Sequence, residues 1–160
     1  MKRLLRLRVN GDDYELFTEP WKTLVEVLRE ELGLTGAKEG CNTGNCGACT
    51  VLIDGKAVKG CLVLVSQVQD KDVLTIEGLG GNGLHPVQQA FIDHFAVQCG
   101  FCTPGMILSA KALLDENPEP SEEDVRRAIV GNLCRCTGYT KIVEAILAST
   151  EIMKSGGQRT

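Results

Sequence analysis

Eight cysteines carry the chemistry this sequence can do, and their spacing divides them into two sets of four. The first is Cys41-x4-Cys46-x2-Cys49, followed after eleven residues by Cys61. Three thiols on one short loop with a distant fourth is the plant-type spacing for a [2Fe–2S] centre. Gly40, Gly44 and Gly47 are placed to supply sharp turns with positive φ, so that backbone N–H groups can point at sulfur. Cys61 is expected on a neighbouring strand, where it closes the set. The second set is Cys99-x2-Cys102 and, after 31 residues, Cys134-x-Cys136. Four thiols drawn from two turns suit either a [2Fe–2S] centre or zinc. Structural zinc commonly draws both halves from C-x2–4-C pairs, and Cys134-x-Cys136 is tighter, so spacing favours iron–sulfur and leaves zinc open.

Composition narrows the setting. Clustered cysteines argue for metal ligation over disulfides in a reducing compartment. The formal charge is −4, aromatic residues make up 4% and no basic run occurs, which argues against nucleic-acid binding. No stretch approaches the roughly 20 apolar residues of a membrane span. Met1 to Arg8 interleaves charges with leucines, lacks an apolar signal-peptide core, and has Lys2-Arg3 instead of a twin-arginine pair. A cytoplasmic protein is the expectation. His85 and His94 stand apart from the cysteines, unlike the ligands of a Rieske centre, and are expected to be ordinary surface or core residues.

The elements that must position these thiols fall into two stretches. Residues 3–9 read as a strand, Asn10-Gly11 as a hairpin turn and residues 14–17 as the returning strand. Thr23-x-x-Glu26 is a capping box for a helix carrying Leu24, Val27, Leu28 and Leu32, which Gly33 ends. After the first cysteine loop, residues 50–53 read as a strand, Asp54-Gly55 as a turn, 57–65 as an extended run carrying Cys61 and 73–76 as a last strand. The result is a small α+β domain of residues 1–77. Gly78-x-Gly80-x-x-Gly83 matches a dinucleotide-binding pattern in form, but no strand returns after it, so residues 78–84 read as a flexible Gly-rich linker. Residues 85–154 change to a helical period. Val87, Ala90, Phe91 and Phe95 mark one helix face; a second helix runs from Pro104 to Glu116, a third starts at the Ser121 cap, and a fourth carries Ile142, Val143, Ile146, Leu147 and Met153. Residues 155–160 are expected to be a disordered tail.

Three stretches carry a family resemblance: Gly40-Cys41-x4-Cys46-Gly47-Ala48-Cys49-Thr50-Val51, Gln98-Cys99-Gly100-Phe101-Cys102-Thr103-Pro104-Gly105-Met106 and Gly131-Asn132-Leu133-Cys134-Arg135-Cys136-Thr137-Gly138-Tyr139. They closely resemble the iron–sulfur (small) subunit of the xanthine dehydrogenase, or molybdenum hydroxylase, family, over about residues 3–150. The resemblance implies an N-terminal plant-type ferredoxin-like β-grasp domain followed by an all-α four-helix bundle. It implies two [2Fe–2S] clusters, one on Cys41, Cys46, Cys49 and Cys61, the other on Cys99, Cys102, Cys134 and Cys136. It also implies a large partner subunit holding molybdopterin (often the cytosine dinucleotide form) and a medium subunit holding FAD, in a heterotrimer or a dimer of heterotrimers. The family glutamine that touches the pterin matches Gln98, and the cluster ligand nearest it matches Cys136. The chain would then have no catalytic residue of its own and would relay electrons between molybdenum and flavin. Two other readings stand beside this one: a free-standing two-cluster ferredoxin, and a zinc-stabilised interaction module.

Overall fold

The computed structural model describes residues 1–156 of the 160-residue chain. It opens on a hairpin, β1 (Arg3–Val9) and β2 (Asp12–Thr18), in antiparallel register with Leu5 opposite Leu16 and Leu7 opposite Tyr14. Asn10 and Gly11 at its tip both have positive φ, 55° and 87°. That is the type I′ geometry whose twist matches the flanking strands. Leu5, Leu7 and Val9 alternate inward. Over them lies α1 (Leu24–Glu30), whose Leu24, Val25, Val27 and Leu28 are wholly buried. Its capping box is formed: the Thr23 hydroxyl accepts from the Glu26 N–H, and the Glu26 carboxylate accepts from the Thr23 N–H at 2.7 Å.

Strands β3 (Thr50–Ile53), β4 (Lys56–Lys59) and β5 (Asp72–Leu74) complete a five-stranded sheet of order β2-β1-β5-β3-β4. β1 and β5 run parallel at its centre and every other pairing is antiparallel. This mixed sheet, crossed by a single helix, is the β-grasp arrangement. Two extended runs end sooner than their sequences indicate. The run expected over 57–65 stops at Lys59, and a 3₁₀ turn, Gly60–Leu62, carries Cys61 instead of a strand. The Gly60 N–H donates to the Cys49 carbonyl, which bends the chain toward the cysteine loop. The last strand stops at Leu74 because the Asn10 side chain accepts from the Thr75 N–H at 2.8 Å in place of a strand partner.

The second half is helical: α2 (Pro86–Asp93), α3 (Thr103–Glu116), α4 (Glu122–Ala128) and α5 (Thr140–Gly156). Val87, Ala90, Phe91, Met106, Leu108, Leu114, Ile142 and Ile146 fill one core. Phe95 does not belong to it: α2 ends at Asp93, and Phe95 sits at φ 54° and is 81% exposed. Leu52 of β3 joins this helical core, so the sheet is covered by α1 on one face and by the bundle on the other. The stretch expected to be a flexible hinge is packed at its start, where Leu79 lies in the helical core and a Cβ on Gly78 would collide with the Asn10 side chain, while residues 81–84 are exposed. At the C-terminus, Ser155 and Gly156 continue α5, and the rest of the expected tail, 157–160, lies outside the described residues. No helix among the described residues is long and apolar enough to cross a membrane.

Candidate metal centres

The first cysteine loop folds around its own sulfur. Asn42, Gly44 and Gly47 have positive φ, 52°, 80° and 72°. Those turns aim the N–H groups of Thr43 and Cys46 at Cys41 Sγ, at 3.4 Å and 3.3 Å. Gly40 serves differently from the expectation. Its φ is not in the left-handed region; what it supplies is space, since a Cβ there would stand 2.8 Å from Cys46 Sγ. The Thr43 hydroxyl and these N–H groups hold the Cys41 thiol down to about 5, so it is a thiolate at neutral pH. Burial pushes Cys49 up to about 11, with Cys61 and Cys46 close by. The set therefore runs from an exposed-side thiolate at Cys41 to two buried thiols, Cys49 and Cys61.

The second set is built by two turns at helix ends. Gly100, at φ 83°, lets Cys99 and Cys102 face the same way just before α3. Across from them, the Thr137 hydroxyl donates to Cys134 Sγ at 3.1 Å, and the Tyr139 hydroxyl accepts from the Cys134 N–H at 3.0 Å. Burial, with Cys134 and Cys99 close by, pushes Cys102 up to about 12. Burial works against ionisation at Cys134 too, but the Thr137 contacts outweigh it and hold the thiol below its ordinary value. The neighbouring Cys99 thiol raises Cys136. Both Cys99 and Cys136 are exposed, and Gln98 Nε2 donates to the Cys136 carbonyl at 3.2 Å. Phe95, Val97, Phe101 and Leu133, close to these cysteines in sequence, are exposed apolar side chains.

All eight predicted ligand positions thus fall into two neighbourhoods, and Gln98 falls beside Cys136. Among the described residues, no three His, Cys, Asp or Glu side chains are gathered closely enough to clasp a metal ion as they stand. Each set nonetheless suits a [2Fe–2S] centre in its donor chemistry: four soft thiols, with backbone N–H or hydroxyl groups already directed at sulfur. Filling either set requires the raised thiols Cys49 and Cys102 to lose protons, so loading is opposed by acid. Thr43, Thr137 and Tyr139 support the sulfurs without any spacing rule that singles them out. His85 caps α2 by accepting from the Val87 N–H, and no contact joins it to a cysteine. A groove of about 560 Å³ is lined by Arg6, Arg8, Tyr14, Asp72 and their neighbours, with no cysteine among them. Its exposed Arg6–Glu15 and Arg8–Asp72 pairs mark it as solvated charged surface.

Comparison with known proteins agrees with this two-part construction. Residues 7–76 match a 2Fe–2S iron–sulfur cluster binding domain, and residues 75–147 a second [2Fe–2S] binding domain. The nicotinate dehydrogenase small FeS subunit of Eubacterium barkeri is 49% identical over 94% of this chain and 96% of its own length. The xanthine dehydrogenase iron–sulfur-binding subunit of Escherichia coli O157:H7 is 46% identical over 87% of this chain and 89% of its own. Among solved structures, a chain of quinoline 2-oxidoreductase from Pseudomonas putida 86 superposes with a TM-score of 0.92 at 44% identity, covering 97% of this chain and 98% of that one. With a β-grasp domain, a helical bundle and a [2Fe–2S]-binding match to each half, this chain belongs to the iron–sulfur subunits of the xanthine dehydrogenase, or molybdenum hydroxylase, family.

Proposed function

We propose that this subunit is a non-catalytic electron relay between a molybdopterin site on a large partner subunit and FAD on a medium one. In this reading Cys41, Cys46, Cys49 and Cys61 hold one cluster and Cys99, Cys102, Cys134 and Cys136 the other. A bound [2Fe–2S] cluster would carry one electron at a time. The chain's own contribution is to fix where the electron rests and at what potential, through thiolate number, hydrogen bonds to sulfur and burial. The observation that carries the reading is the exposed end of the second set. Cys99 and Cys136 reach the surface, Gln98 is tied to the Cys136 carbonyl, and the flanking sequence leaves Phe95, Val97, Phe101 and Leu133 exposed. Such a surface is made to be covered by another chain. Gln98 is then the pterin contact, and Cys136 the ligand nearest the pterin, in its cytosine dinucleotide form.

The same reading assigns residues 1–77 to the ferredoxin-like cluster domain, 78–84 to a linker, 85–154 to the helical cluster domain and 155–160 to a tail. It puts the assembly, a heterotrimer or a dimer of heterotrimers, in the cytoplasm. Isolating the untagged partners through a tag on this chain tests it. Iron and acid-labile sulfide at two equivalents per cysteine group, eluting with molybdenum and flavin, are the expected result. Iron and sulfide on a lone monomer from native-level expression would favour a free ferredoxin, and zinc in their place would overturn both.

A further inference from the structure

Between Cys46 and Cys49 the backbone carbonyls are held by donors from elsewhere in the chain. The Leu133 N–H donates to the Cys46 carbonyl at 2.8 Å. The Gly47 carbonyl accepts from Asn132 Nδ2 at 3.0 Å and, closing a local turn, from the Thr50 hydroxyl at 2.7 Å. Leu133 and Asn132 both belong to the helical half. Asn132 is 2% exposed, and its amide is braced at the other end, where Oδ1 accepts from Ser109 Oγ of α3 at 2.9 Å. Its own N–H donates to the Ile129 carbonyl at the end of α4. The fit leaves no slack. A Cβ on Gly105 would stand 2.4 Å from the Gly47 carbonyl oxygen, and one on Gly47 would stand 2.2 Å from that of Gly131.

A planar trans peptide points its N–H opposite to its C=O. Fixing the Cys46 carbonyl on Leu133 and the Gly47 carbonyl on Asn132 therefore turns the Gly47 and Ala48 N–H groups away from the helical half. Both residues are buried, and among the described residues no hydrogen bond takes up either N–H. Buried N–H groups seldom go unpaired, and the acceptors flanking these two in sequence are the sulfurs of Cys46 and Cys49. We propose that Asn132 and the Leu133 N–H aim the Gly47 and Ala48 N–H groups at the first cysteine set, so that the helical half fixes hydrogen bonds to a centre it does not ligate. The proposal rests on the reading above that Cys41, Cys46, Cys49 and Cys61 hold a cluster. The N–H groups on Cys41 Sγ are supplied by the loop itself, but Gly47, at φ 72° and without a Cβ, takes its direction from outside. Asn132 is a positioning residue: it touches no sulfur, and a buried amide bonded at both ends tolerates little displacement.

The test uses the assembled holo-complex carrying Asn132→Ala. A redox titration followed by electron paramagnetic resonance reads the potential of each cluster, and hydrogen exchange reads the Gly47 and Ala48 amides. A hydrogen bond to sulfur stabilises the reduced state, so the potential of the first cluster should fall while that of the second holds. The Gly47 and Ala48 amides should exchange on the order of tenfold faster, with the iron content unchanged. An unmoved first potential in a loaded variant would overturn the proposal. Equal falls at both clusters would overturn it too, since they would mean a general loosening. If Asn132→Ala does not load, Ser109→Ala, which unbraces the amide but leaves its donor on Gly47, must lower the first potential in smaller measure or the proposal falls. A wild-type complex without a first-cluster signal would instead sink the cluster reading, and the proposal with it.

Discussion

Cys41, Cys46 and Cys49 come from nine consecutive residues, whereas the second set is drawn together only when the turn before α3 meets the turn before α5. The first loop makes its own geometry, with left-handed residues turning N–H groups onto Cys41. Its far end, Cys49 and Cys61, is buried against α1 and the sheet. The second set is half-buried on one side, at Cys102 and Cys134, and open on the other, at Cys99 and Cys136. A locally made site withstands loosening of its domain. A site made by helix packing shares the fate of that packing and has a face left over for a partner.

Ligand removal separates the two sets most sharply. Cys102→Ser should eliminate the helical-domain cluster and its spectroscopic signal, with half the iron lost and the ferredoxin-like signal intact. In the proposed assembly, reduction of the molybdenum site by substrate should persist, while turnover with an external acceptor collapses. Loss of both signals would mean that the sets are not independent.

Core truncation comes next. Phe91→Ala in the bundle should cost about 3–5 kcal/mol and Leu28→Ala beneath the sheet about 2–5 kcal/mol, read from denaturant midpoints. Both side chains are essentially fully buried. The comparison predicts that Phe91→Ala also lowers loading of the second cluster, whereas Leu28→Ala spares the Cys41–Cys49 loop more. Equal loss of loading in both would break that contrast.

A subtler change tunes one site without dismantling it. Thr137→Val removes the hydroxyl that donates to Cys134 Sγ. A hydrogen bond to sulfur stabilises the more negative, reduced state, so the potential of the second cluster should fall while that of the first stays put. A redox titration followed by electron paramagnetic resonance reads this directly.

The smallest effect lies in the caps. Thr23→Ala should cost about 1 kcal/mol. The Thr23 hydroxyl and N–H hold the Glu26 carboxyl below its usual range. Its contribution is therefore complete above the ordinary carboxylate range and is lost as pH falls through the lowered value. Stability measured against pH should show a shallower acid limb in Thr23→Ala than in wild type. Asp124 in the cap of α4 is shifted in the same direction by Ser121, but it is fully exposed, so Ser121→Ala should change the curve less.

What was legible in the sequence was local. The Asn10-Gly11 turn, the Thr23 and Ser121 caps and the loop spacing of the first cysteines each depend on residues within a few positions of one another. Cys61 reads as part of a strand, but its neighbour Gly60 donates to the Cys49 carbonyl eleven positions back, and a 3₁₀ turn starts there. Phe95 looked like the next member of an apolar helix face, but α2 ends at Asp93, with His94 as its C-cap, and Phe95 turns outward with positive φ. The glycines from Gly78 to Gly83 signalled looseness, yet Gly78 is small because Asn10 lies against it. Asn132 gave no signal at all, since its partners Gly47, Thr50 and Ser109 are between 23 and 85 positions away.

The Asn10 side chain, which replaces a strand partner for Thr75, has a consequence for synthesis. Its two partner atoms on Thr75 are 65 residues downstream. β1 likewise lacks its parallel neighbour until β5 arrives. At about 5–20 residues per second, a ribosome needs roughly 3–13 s to make that stretch. During that interval the first hairpin is out with an unpaired inner edge, and the Cys41–Cys49 loop emerges before the sheet beneath it can close. Cys41, Cys46 and Cys49 are thus made and open to solvent before β5 can close the sheet beneath them.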